Sequence, residues 1–244
     1  MKKDISFLKN SLIAHRGLHD INKKIPENSK KAFKEAIKNN YIIELDLHIL
    51  KDNNVVVFHD DNLKRMTGIN KKIKNTTYDE IKKLKLQNTN NYIPLFKDVL
   101  KLVNGKVPII IELKYDVKCG KLEKETMNLL KNYKGMYAVK SFRPYTVYWF
   151  KKHYPNVIRG QLSCDFYNKK MNFIAKFFCK NMLLNFITKP DFISYEIKAL
   201  PNKRVSKYKD KIPILGWVIR SSEDLEKAKK YCDNFICENI DKYI

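Results

Sequence analysis

The 244-residue chain is short of acidic residues, of arginine and of long apolar runs. Its 26 aspartate and glutamate residues face 49 lysine and arginine residues, of which only six are arginine, and the formal net charge is +23. No stretch approaches the roughly 20 apolar residues of a membrane-spanning helix, and the N-terminal residues lack the apolar run of a signal peptide. We therefore expect no transmembrane segment and a location in the cytoplasm.

Cysteine is also scarce. The five cysteines form no C-x-x-C pair and have no companion histidine cluster with the spacing of a zinc site. Their odd number and scattered positions argue against a disulfide framework. Reduced thiols are the simplest interpretation, and they fit the expected cytoplasmic location.

The positive charge does not form the dense basic run that is typical of a nucleic-acid-binding surface. The lysines are scattered along predicted helices, as solvated helix faces require. We therefore expect no nucleic-acid partner. An alternative of a different class is a non-catalytic protein that binds nucleic acid or an anionic surface through its charge, with an affinity that falls steeply with salt. The sequence does not indicate an oligomeric state.

Short apolar runs alternate with helical periodicity along the chain. Eight runs predict strands, at residues 11–15, 42–50, 107–114, 136–142, 156–162, 191–197, 212–219 and 234–240. Amphipathic stretches between most of them predict helices, at residues 27–40, 95–105, 121–133, 143–155 and 221–232. Eight strands with intervening helices predict an α/β fold, a (β/α)₈ TIM barrel, formed by a single domain of residues 1–244. Residues 55–92 hold an extra strand, a basic loop and a helix, and we interpret them as a small insertion after strand 2.

The second predicted strand carries Glu44, Asp46 and His48 at alternate positions. Side chains alternate between the two faces of a strand, so these three ionisable groups share one face. In an antiparallel sheet with one wet face, such a stripe would simply be exposed to solvent. The strands of a parallel barrel are normally buried on both sides, which favours a functional role for the stripe.

Other ionisable residues follow predicted strands at the end where the loops of a barrel converge. His15 and Arg16 follow the first strand, His59 ends the extra strand, and Glu112 and Lys114 end the third. The two histidines could act as general base and general acid, while Arg16 and Lys114 could hold an anion. This chemistry suits the hydrolysis of a phosphate ester.

Three converging carboxylates, those of Glu44, Asp46 and Glu112, would repel one another without a cation. Two unit charges about 4 Å apart interact by about 4 kcal/mol at an effective dielectric constant near 20. Carboxylate oxygens suit Mg²⁺ or Ca²⁺ better than a softer metal, so the sequence predicts a divalent-cation site.

The motifs IAHRG, PENS, ELDLH, VVFHDD and IELK follow one another between Ile13 and Lys114, and in this order they resemble the glycerophosphodiester phosphodiesterase family. A looser similarity continues through SF at 141–142, GWVIRSSEDL at 216–225 and DNFICEN at 233–239. The last of these departs from the acidic-then-proline ending of many relatives, so no contact is assigned there.

The resemblance implies a (β/α)₈ enzyme that uses a divalent cation to hydrolyse glycerophosphodiesters to an alcohol and sn-glycerol 3-phosphate. The attacking group is either water or the 2-hydroxyl of the glycerol, and an alternative activity is lysophospholipase D-type cleavage of acylated diesters. The implied roles are acid–base catalysis by His15 and His59, metal binding by Glu44, Asp46 and Glu112, phosphate contact by Arg16 and Lys114, a substrate wall at Trp217 and a supporting role for Glu27.

Three further residues keep two interpretations each. His48 is either a residue that supports the metal site or pocket, or a structural histidine with its hydrogen bonds satisfied. Asp60 either orients His59 or is an ordinary turn aspartate. Trp217, apart from the resemblance, is either a stacking wall or a core aromatic.

Residues 172–188, between predicted strands 5 and 6, carry more apolar side chains than a helix needs in order to pack on a barrel. One interpretation is a single helix whose surplus apolar face lies under a loop or in a dimer contact. The other is an apolar lip or a weak membrane-surface contact, helped by the basic charge, that admits acylated diesters.

Overall fold

The computed structural model describes residues 3–114, 117–167 and 172–239. Nine strands occur in this part of the chain: β1 Ile13–Ala14, β2 Ile42–Ile49, β3 Val55–Val57, β4 Ile109–Leu113, β5 Tyr137–Ser141, β6 Ile158–Ser163, β7 Phe192–Glu196, β8 Ile214–Ile219 and β9 Asn234–Cys237. Eight of them coincide with the eight predicted strands, and β3 is the predicted extra strand. The end of the last predicted strand, at residue 240, lies outside the described residues.

Eleven α-helices accompany the strands within the described ranges. They are α1 Phe7–Asn10, α2 Lys30–Lys38, α3 Lys64–Thr67, α4 Tyr78–Ile81, α5 Phe96–Val103, α6 Lys121–Leu130, α7 Pro144–His153, α8 Phe173–Lys180, α9 Asn185–Thr188, α10 Lys203–Ser206 and α11 Ser222–Tyr231. Short 3₁₀ turns occur at Ile21–Lys23, Ile73–Asn75, Leu86–Asn88 and Ile197–Ala199. No helix in these ranges is both long enough and apolar enough to cross a bilayer.

The strands follow the order β1-β9-β8-β7-β6-β5-β4-β2-β3, and β1 also pairs with β2. The pairs β2–β4, β5–β6, β6–β7, β7–β8 and β8–β9 are parallel. Eight strands thus close on themselves with helices between them, which is the (β/α)₈ barrel that the sequence predicts. The ninth strand, β3, pairs with β2 in the antiparallel direction and opens the predicted insertion.

By internal contacts, the chain divides into two compact units. The first unit is Ala14–Tyr137, and the second unit combines the N-terminal residues up to Ile13 with the residues from Ala138 onwards. The single domain of residues 1–244 stays a prediction.

The first unit is built around β2, which is buried along its whole length. Ser29 caps α2, because its hydroxyl accepts a hydrogen bond from the Ala32 amide at 3.1 Å. Helix α5 buries residues at the spacing i, i+3, i+4 and i+7, so one face is apolar: Phe96, Val99, Leu100 and Val103. Helices α2 and α5 pack against each other.

The insertion of the first unit has an apolar cluster of its own. This cluster joins side chains of residues 55–92 to neighbours just outside those bounds: Leu50, Val56, Phe58, Leu63, Met66, Ile73, Ile81, Leu86, Ile93 and Leu95. Helix α4 starts at a capping box, where the Glu80 carboxylate accepts a hydrogen bond from the Thr77 amide at 2.8 Å. The insertion is therefore a packed element and not an open loop.

In the second unit, polar side chains tie the N-terminal residues to the strands. The Asn234 side-chain amide donates to the carbonyl oxygens of Leu8 and Ser11, each at 2.8 Å. Lys3 pairs with Asp191 at 2.6 Å. The two hydrogen bonds from Asn234 satisfy carbonyl groups at the end of the short helix α1 that have no partner within the helix.

The expectation of one continuous helix over residues 172–188 is wrong. The segment forms α8 and the short α9, and the chain turns between them at Met182, whose φ is +56°. Every side chain of α8 is at least partly exposed. The surplus apolar surface is therefore not covered by any loop of the described residues.

Candidate active site

Strands β2 and β4 bring three carboxylates together. Asp46 lies directly opposite Glu112 in the parallel register, and Glu44 lies two residues before Asp46 on the same face of β2. All three are buried, and one carboxylate oxygen from each lies within 4.8 Å of the others. The interpretation of Glu44, Asp46 and His48 as a solvent-exposed stripe is therefore wrong, because β2 is covered on both faces.

Lys114 neutralises part of this negative charge. Its ammonium lies 2.8 Å from Asp46 Oδ1 and 2.5 Å from Glu112 Oε1. Burial alone would lower the pKa of Lys114, but the charges of Asp46 and Glu112 outweigh burial and hold that pKa above its usual range. Lys114 therefore stays positively charged between the two carboxylates.

Asp46 makes further contacts with polar side chains of the first unit. Besides Lys114, its Oδ2 accepts a hydrogen bond from the Asn28 side-chain amide at 2.9 Å and lies 3.5 Å from Arg16 Nε. Burial would raise the pKa of Asp46, but the positive charges of Lys114 and Arg16 help to hold it well below its usual range. Asp46 is therefore an ionised ligand candidate at neutral pH.

The turn after β1 fixes His15 and Arg16 beside β2. The Arg16 amide donates to Glu44 Oε2 at 3.2 Å, and the Gly17 amide donates to the Glu44 carbonyl at 3.2 Å. Arg16 has a φ of +56°, a left-handed conformation that is uncommon for arginine. His15 lies directly before this turn and is buried. The two hydrogen bonds to Glu44 thus fix the backbone directly after His15, the first histidine of the site.

The PENS motif positions two side chains at the same cluster. Glu27 Oε1 accepts a hydrogen bond from Arg16 Nη1 at 2.8 Å, and Asn28 donates to Asp46. Asn28 has a φ of +54°, and its amide donates to the Arg16 carbonyl at 2.9 Å. Ser29 then caps α2. The motif therefore ends the loop, starts the helix and holds Arg16 and Asp46 in place.

A chain of ion pairs continues from Arg16 to His59. Arg65, on α3 of the insertion, contacts both oxygens of Glu27 at 2.6 and 3.0 Å. The same guanidinium contacts both oxygens of Asp60 at 2.6 and 2.9 Å. Asp60 Oδ1 lies 2.6 Å from His59 Nδ1. The insertion thus supplies the residue that connects the PENS loop to the second histidine.

Asp60 determines which nitrogen of His59 carries a proton. Burial would raise the pKa of Asp60, but the hydrogen bonds from His59 and Arg65 outweigh burial and keep that pKa below its usual range. An ionised carboxylate only accepts hydrogen bonds, so the Nδ1 atom of His59 must donate. In the neutral ring, Nε2 is then the atom that can accept a proton.

His48 supports His59 through the backbone. It is fully buried on β2, and its Nε2 lies 3.2 Å from the carbonyl oxygen of His59. A carbonyl oxygen only accepts, so His48 Nε2 is the donor. This contact fits both interpretations of His48, a residue that supports the site and a structural histidine with a satisfied hydrogen bond.

The cluster has the donor set and the charge of a site for a hard divalent cation. Four carboxylates and three cationic side chains take part in the connected ion pairs, and Glu44 is a fifth carboxylate beside them. Together they have a formal charge of −2 with neutral histidines: Glu27, Glu44, Asp46, Asp60, Glu112, Arg16, Arg65 and Lys114. Glu44, Asp46 and Glu112 offer buried carboxylate oxygens, which Mg²⁺ and Ca²⁺ prefer. These three residues therefore fit the cation that the sequence predicts.

Trp217 lies in the second unit, on β8. Its ring makes an edge-on contact with Phe142 at a centroid distance of 5.6 Å, and Phe142 makes a similar contact with Phe166 at 6.0 Å. The indole N–H is buried and has no hydrogen-bond partner among the described residues. These contacts fit both interpretations of Trp217, a stacking wall and a core aromatic.

Asn28 and Arg65 belong to the site although no role was predicted for them from the sequence. Asn28 stands inside the PENS motif, and its signal was available, because asparagine is one of the few residues that readily adopts a positive φ. Arg65 stands in a basic loop and gives no local signal. Asp60 was weighed between two interpretations, and its contacts with His59 and Arg65 favour the orienting one.

A model of the glycerophosphoryl diester phosphodiesterase family matches residues 15–233 of the chain. The YhdW protein of Bacillus subtilis is 34% identical over 155 residues, which are 60% of this chain and 63% of YhdW. A human lysophospholipase D is 37% identical over 134 residues, which are 50% of this chain and 41% of the human protein. The chain thus spans less than two thirds of the length of each of these relatives.

Solved structures share the fold. A phosphodiesterase of Oleispira antarctica, in complex with the product sn-glycerol-3-phosphate, has a TM-score of 0.77 to this chain at 19% identity. The comparison covers 94% of this chain and 93% of the other. At this identity the similarity concerns the fold alone.

Proposed function

Because the chain belongs to the glycerophosphoryl diester phosphodiesterase family, we propose that it hydrolyses glycerophosphodiesters to an alcohol and sn-glycerol 3-phosphate. The observation that carries this proposal is the register of β2 and β4, which sets Asp46 opposite Glu112 beside Glu44. The product bound to the Oleispira enzyme, which shares the fold, supports the same class of substrate.

A divalent cation, Mg²⁺ or Ca²⁺, held by Glu44, Asp46 and Glu112 would supply positive charge to the phosphoryl oxygens. Arg16 and Lys114 are the cationic side chains that border these carboxylates. Their N–H groups would bind the remaining phosphoryl oxygens and orient the diester. Glu27 holds the Arg16 guanidinium in place for this contact.

His15 and His59 would form the acid–base pair. One histidine takes the proton of the attacking hydroxyl, and the other gives a proton to the oxygen of the leaving alcohol as the P–O bond breaks. Asp60 holds the Nδ1 proton of His59 and leaves Nε2 for this exchange. The attacking hydroxyl belongs either to water or to C2 of the glycerol, and detection of a cyclic phosphate by ³¹P NMR would separate the two.

A second candidate activity is lysophospholipase D-type cleavage, in which the glycerol still carries an acyl chain. The human relative of that name supports it. Trp217, Phe142 and Phe166 form an aromatic wall that would suit either the glycerol or an acyl chain. We also propose that the enzyme works in the cytoplasm, where its five free cysteines would stay reduced.

The first test is turnover of purified protein with glycerophosphocholine and with lysophosphatidylcholine. The measured products are choline with either substrate, glycerol phosphate with the first and lysophosphatidic acid with the second. We expect His15→Ala and His59→Ala each to lower kcat by about 10² to 10⁴-fold, as loss of a general acid or base does. The matched control is His153→Ala, an exposed histidine at the end of α7.

Three outcomes decide the proposal. Near-normal turnover in either active-site variant would remove that histidine from the mechanism. Turnover of lysophosphatidylcholine alone would favour the second candidate activity. If the wild-type protein cleaved neither diester with any divalent cation, the proposed function would be wrong.

A further inference from the structure

Helix α8 turns an apolar face towards solvent. Phe173, Ile174, Phe177 and Phe178 follow the spacing i, i+1, i+4 and i+5, which places them on one side of the helix. Their exposed fractions are 81, 65, 49 and 39%. A helix that packs on a barrel would bury such a stripe. Here the stripe faces outwards.

Helix α9 follows α8 along the chain and packs against α7, and both α9 and α7 also carry exposed apolar side chains. Phe186 and Ile187 of α9 are exposed, and so are Tyr145 and Tyr148 of α7. Lys151 joins the two helices, because its ammonium donates to the Ile187 carbonyl and lies 5.7 Å from the centre of the Tyr148 ring. The eight exposed apolar residues of these three helices are hereafter the α7–α9 surface: Tyr145, Tyr148, Phe173, Ile174, Phe177, Phe178, Phe186 and Ile187. Clustered apolar exposure of this kind marks an interaction site.

The charge around the α7–α9 surface has one sign. Between residues 126 and 190 the sequence has 12 lysine and arginine residues and a single acidic residue, Asp165. Lys152, Lys180 and Lys189 are exposed beside the apolar side chains. The partner that binds this surface must therefore present both apolar groups and negative charge.

A second copy of the chain fits this surface poorly, because two such faces would bring lysines of like charge together. Nucleic acid would use the charge, but it would leave the aliphatic side chains of Ile174 and Ile187 without apolar partners. An anionic bilayer offers both features, since phenylalanine and tyrosine insert at the headgroup level while lysines contact anionic lipids.

We propose that the α7–α9 surface docks on anionic phospholipid bilayers. The docking is a property of the second unit and does not depend on the hydrolytic activity proposed above. It would bring the protein to the place where acylated diesters are found. The helices of the α7–α9 surface lie in the plane of the membrane interface and do not cross the membrane.

The test is co-sedimentation with vesicles of equal parts phosphatidylglycerol and phosphatidylcholine, and with vesicles of phosphatidylcholine alone. We expect the wild-type protein to bind the anionic vesicles and to be released by high salt. Phe173→Ser/Phe177→Ser should lower binding by about ten-fold or more, since it removes two inserting side chains. Lys176→Glu/Lys180→Glu should lower it by about ten-fold or more, since each lysine adds to the attraction of an anionic surface.

The matched control is Ile21→Ser/Ile69→Ser, which removes two exposed isoleucines of the first unit. This variant should bind vesicles like the wild type, and circular dichroism should show that every variant is folded. Glycerophosphocholine turnover, measured without vesicles, should be the same in all of them, so a failed docking and a failed hydrolysis are distinguished.

Four results would overturn the proposal. The wild-type protein could stay in the supernatant with both kinds of vesicle, or the Phe173→Ser/Phe177→Ser variant could bind as well as the wild type. Equal loss of binding in the isoleucine control would show a non-specific effect. A wild-type dimer that the phenylalanine variant splits, without vesicle binding by either, would assign the surface to self-association.

Discussion

At the scale of single residues, a series of ion pairs orients the imidazole ring of His59. Arg65 contacts Glu27 and Asp60 with both arms of its guanidinium, and Asp60 in turn holds His59 Nδ1. Such two-pronged contacts are more directional than single ion pairs. The ring of His59 is therefore oriented by residues that do not themselves need to touch a substrate.

We predict that Asp60→Asn lowers kcat by about 10 to 100-fold with little change in KM, because the amide no longer fixes the Nδ1 proton. Steady-state kinetics with glycerophosphocholine checks this. The control is Asp61→Asn, an exposed neighbour with the same change of charge. Equal kinetics of the two variants would contradict the orienting role.

The same substitution has a pH signature in stability. The pKa of Asp60 is lower in the folded protein than the value of about 3.9 in an unfolded chain. Its contribution to the free energy of unfolding is therefore fully present above the unfolded pKa and is lost as pH falls through the folded pKa. In urea unfolding, the free energy of unfolding of Asp60→Asn should be lower than that of the wild type by about 1 kcal/mol at pH 7. The difference is this small because the ion pair is partly exposed, and it should narrow below about pH 4. A difference in the free energy of unfolding that widens in acid would contradict the lowered pKa of Asp60.

At the scale of elements, the turn between β1 and α2 is sterically constrained. Gly17 has a φ of +79°, and a Cβ placed there would lie 2.9 Å from Phe33 Cδ1 and 3.0 Å from two atoms of Ala32. The turn is thus pressed against α2 while its amides bind Glu44. A glycine here serves the close approach as well as the positive φ.

We predict that Gly17→Ala destabilises the protein by about 1–3 kcal/mol and also lowers turnover, since the turn must move away from α2 and carries Arg16 with it. Gly68→Ala is the matched control. Gly68 has almost the same φ, +80°, but no atom lies within 4 Å of its added Cβ. The difference between the melting temperatures of the two variants measures the cost of the steric contact with α2. Equal losses of stability would show that only the positive φ matters.

At the scale of the whole molecule, net charge and local charge have opposite signs. The chain carries a formal charge of +23, yet the connected ion pairs around the β2–β4 carboxylates, taken together with Glu44, carry −2. The global charge favours anionic substrates and surfaces. The local charge favours a divalent cation, so the cation and the phosphate it attracts can share one site.

We predict that EDTA abolishes turnover and lowers the melting temperature, and that Mg²⁺ or Ca²⁺ restores both. A ligand at 100 times its Kd stabilises the folded state by about 2.7 kcal/mol, which is measurable by thermal shift. Glu112→Gln should lose most of the cation-dependent shift, while Asp79→Asn, an exposed carboxylate of α4, should keep it. A verified metal-free protein with full activity would rule out the cation.

Local patterns in the sequence were sufficient for the strands and for the carboxylate cluster. Strand β2 follows from a period of two, and the position of Glu112 and Lys114 follows from the rule that parallel strands converge at their carboxyl ends. The alternative that Glu44, Asp46 and His48 form a solvent-exposed stripe could be rejected only once the burial of β2 was known. Alternation in the sequence does not say what covers each face of a strand.

The sequence by itself determined the eight barrel strands and the residues of the carboxylate cluster, because periodicity and strand ends are set within a few neighbouring residues. Only the tertiary structure decided that Arg65 reaches Glu27 and that α8 faces solvent. The first is a contact between residues 38 positions apart. The second depends on what lies against a helix, since an amphipathic pattern defines a face but not its partner.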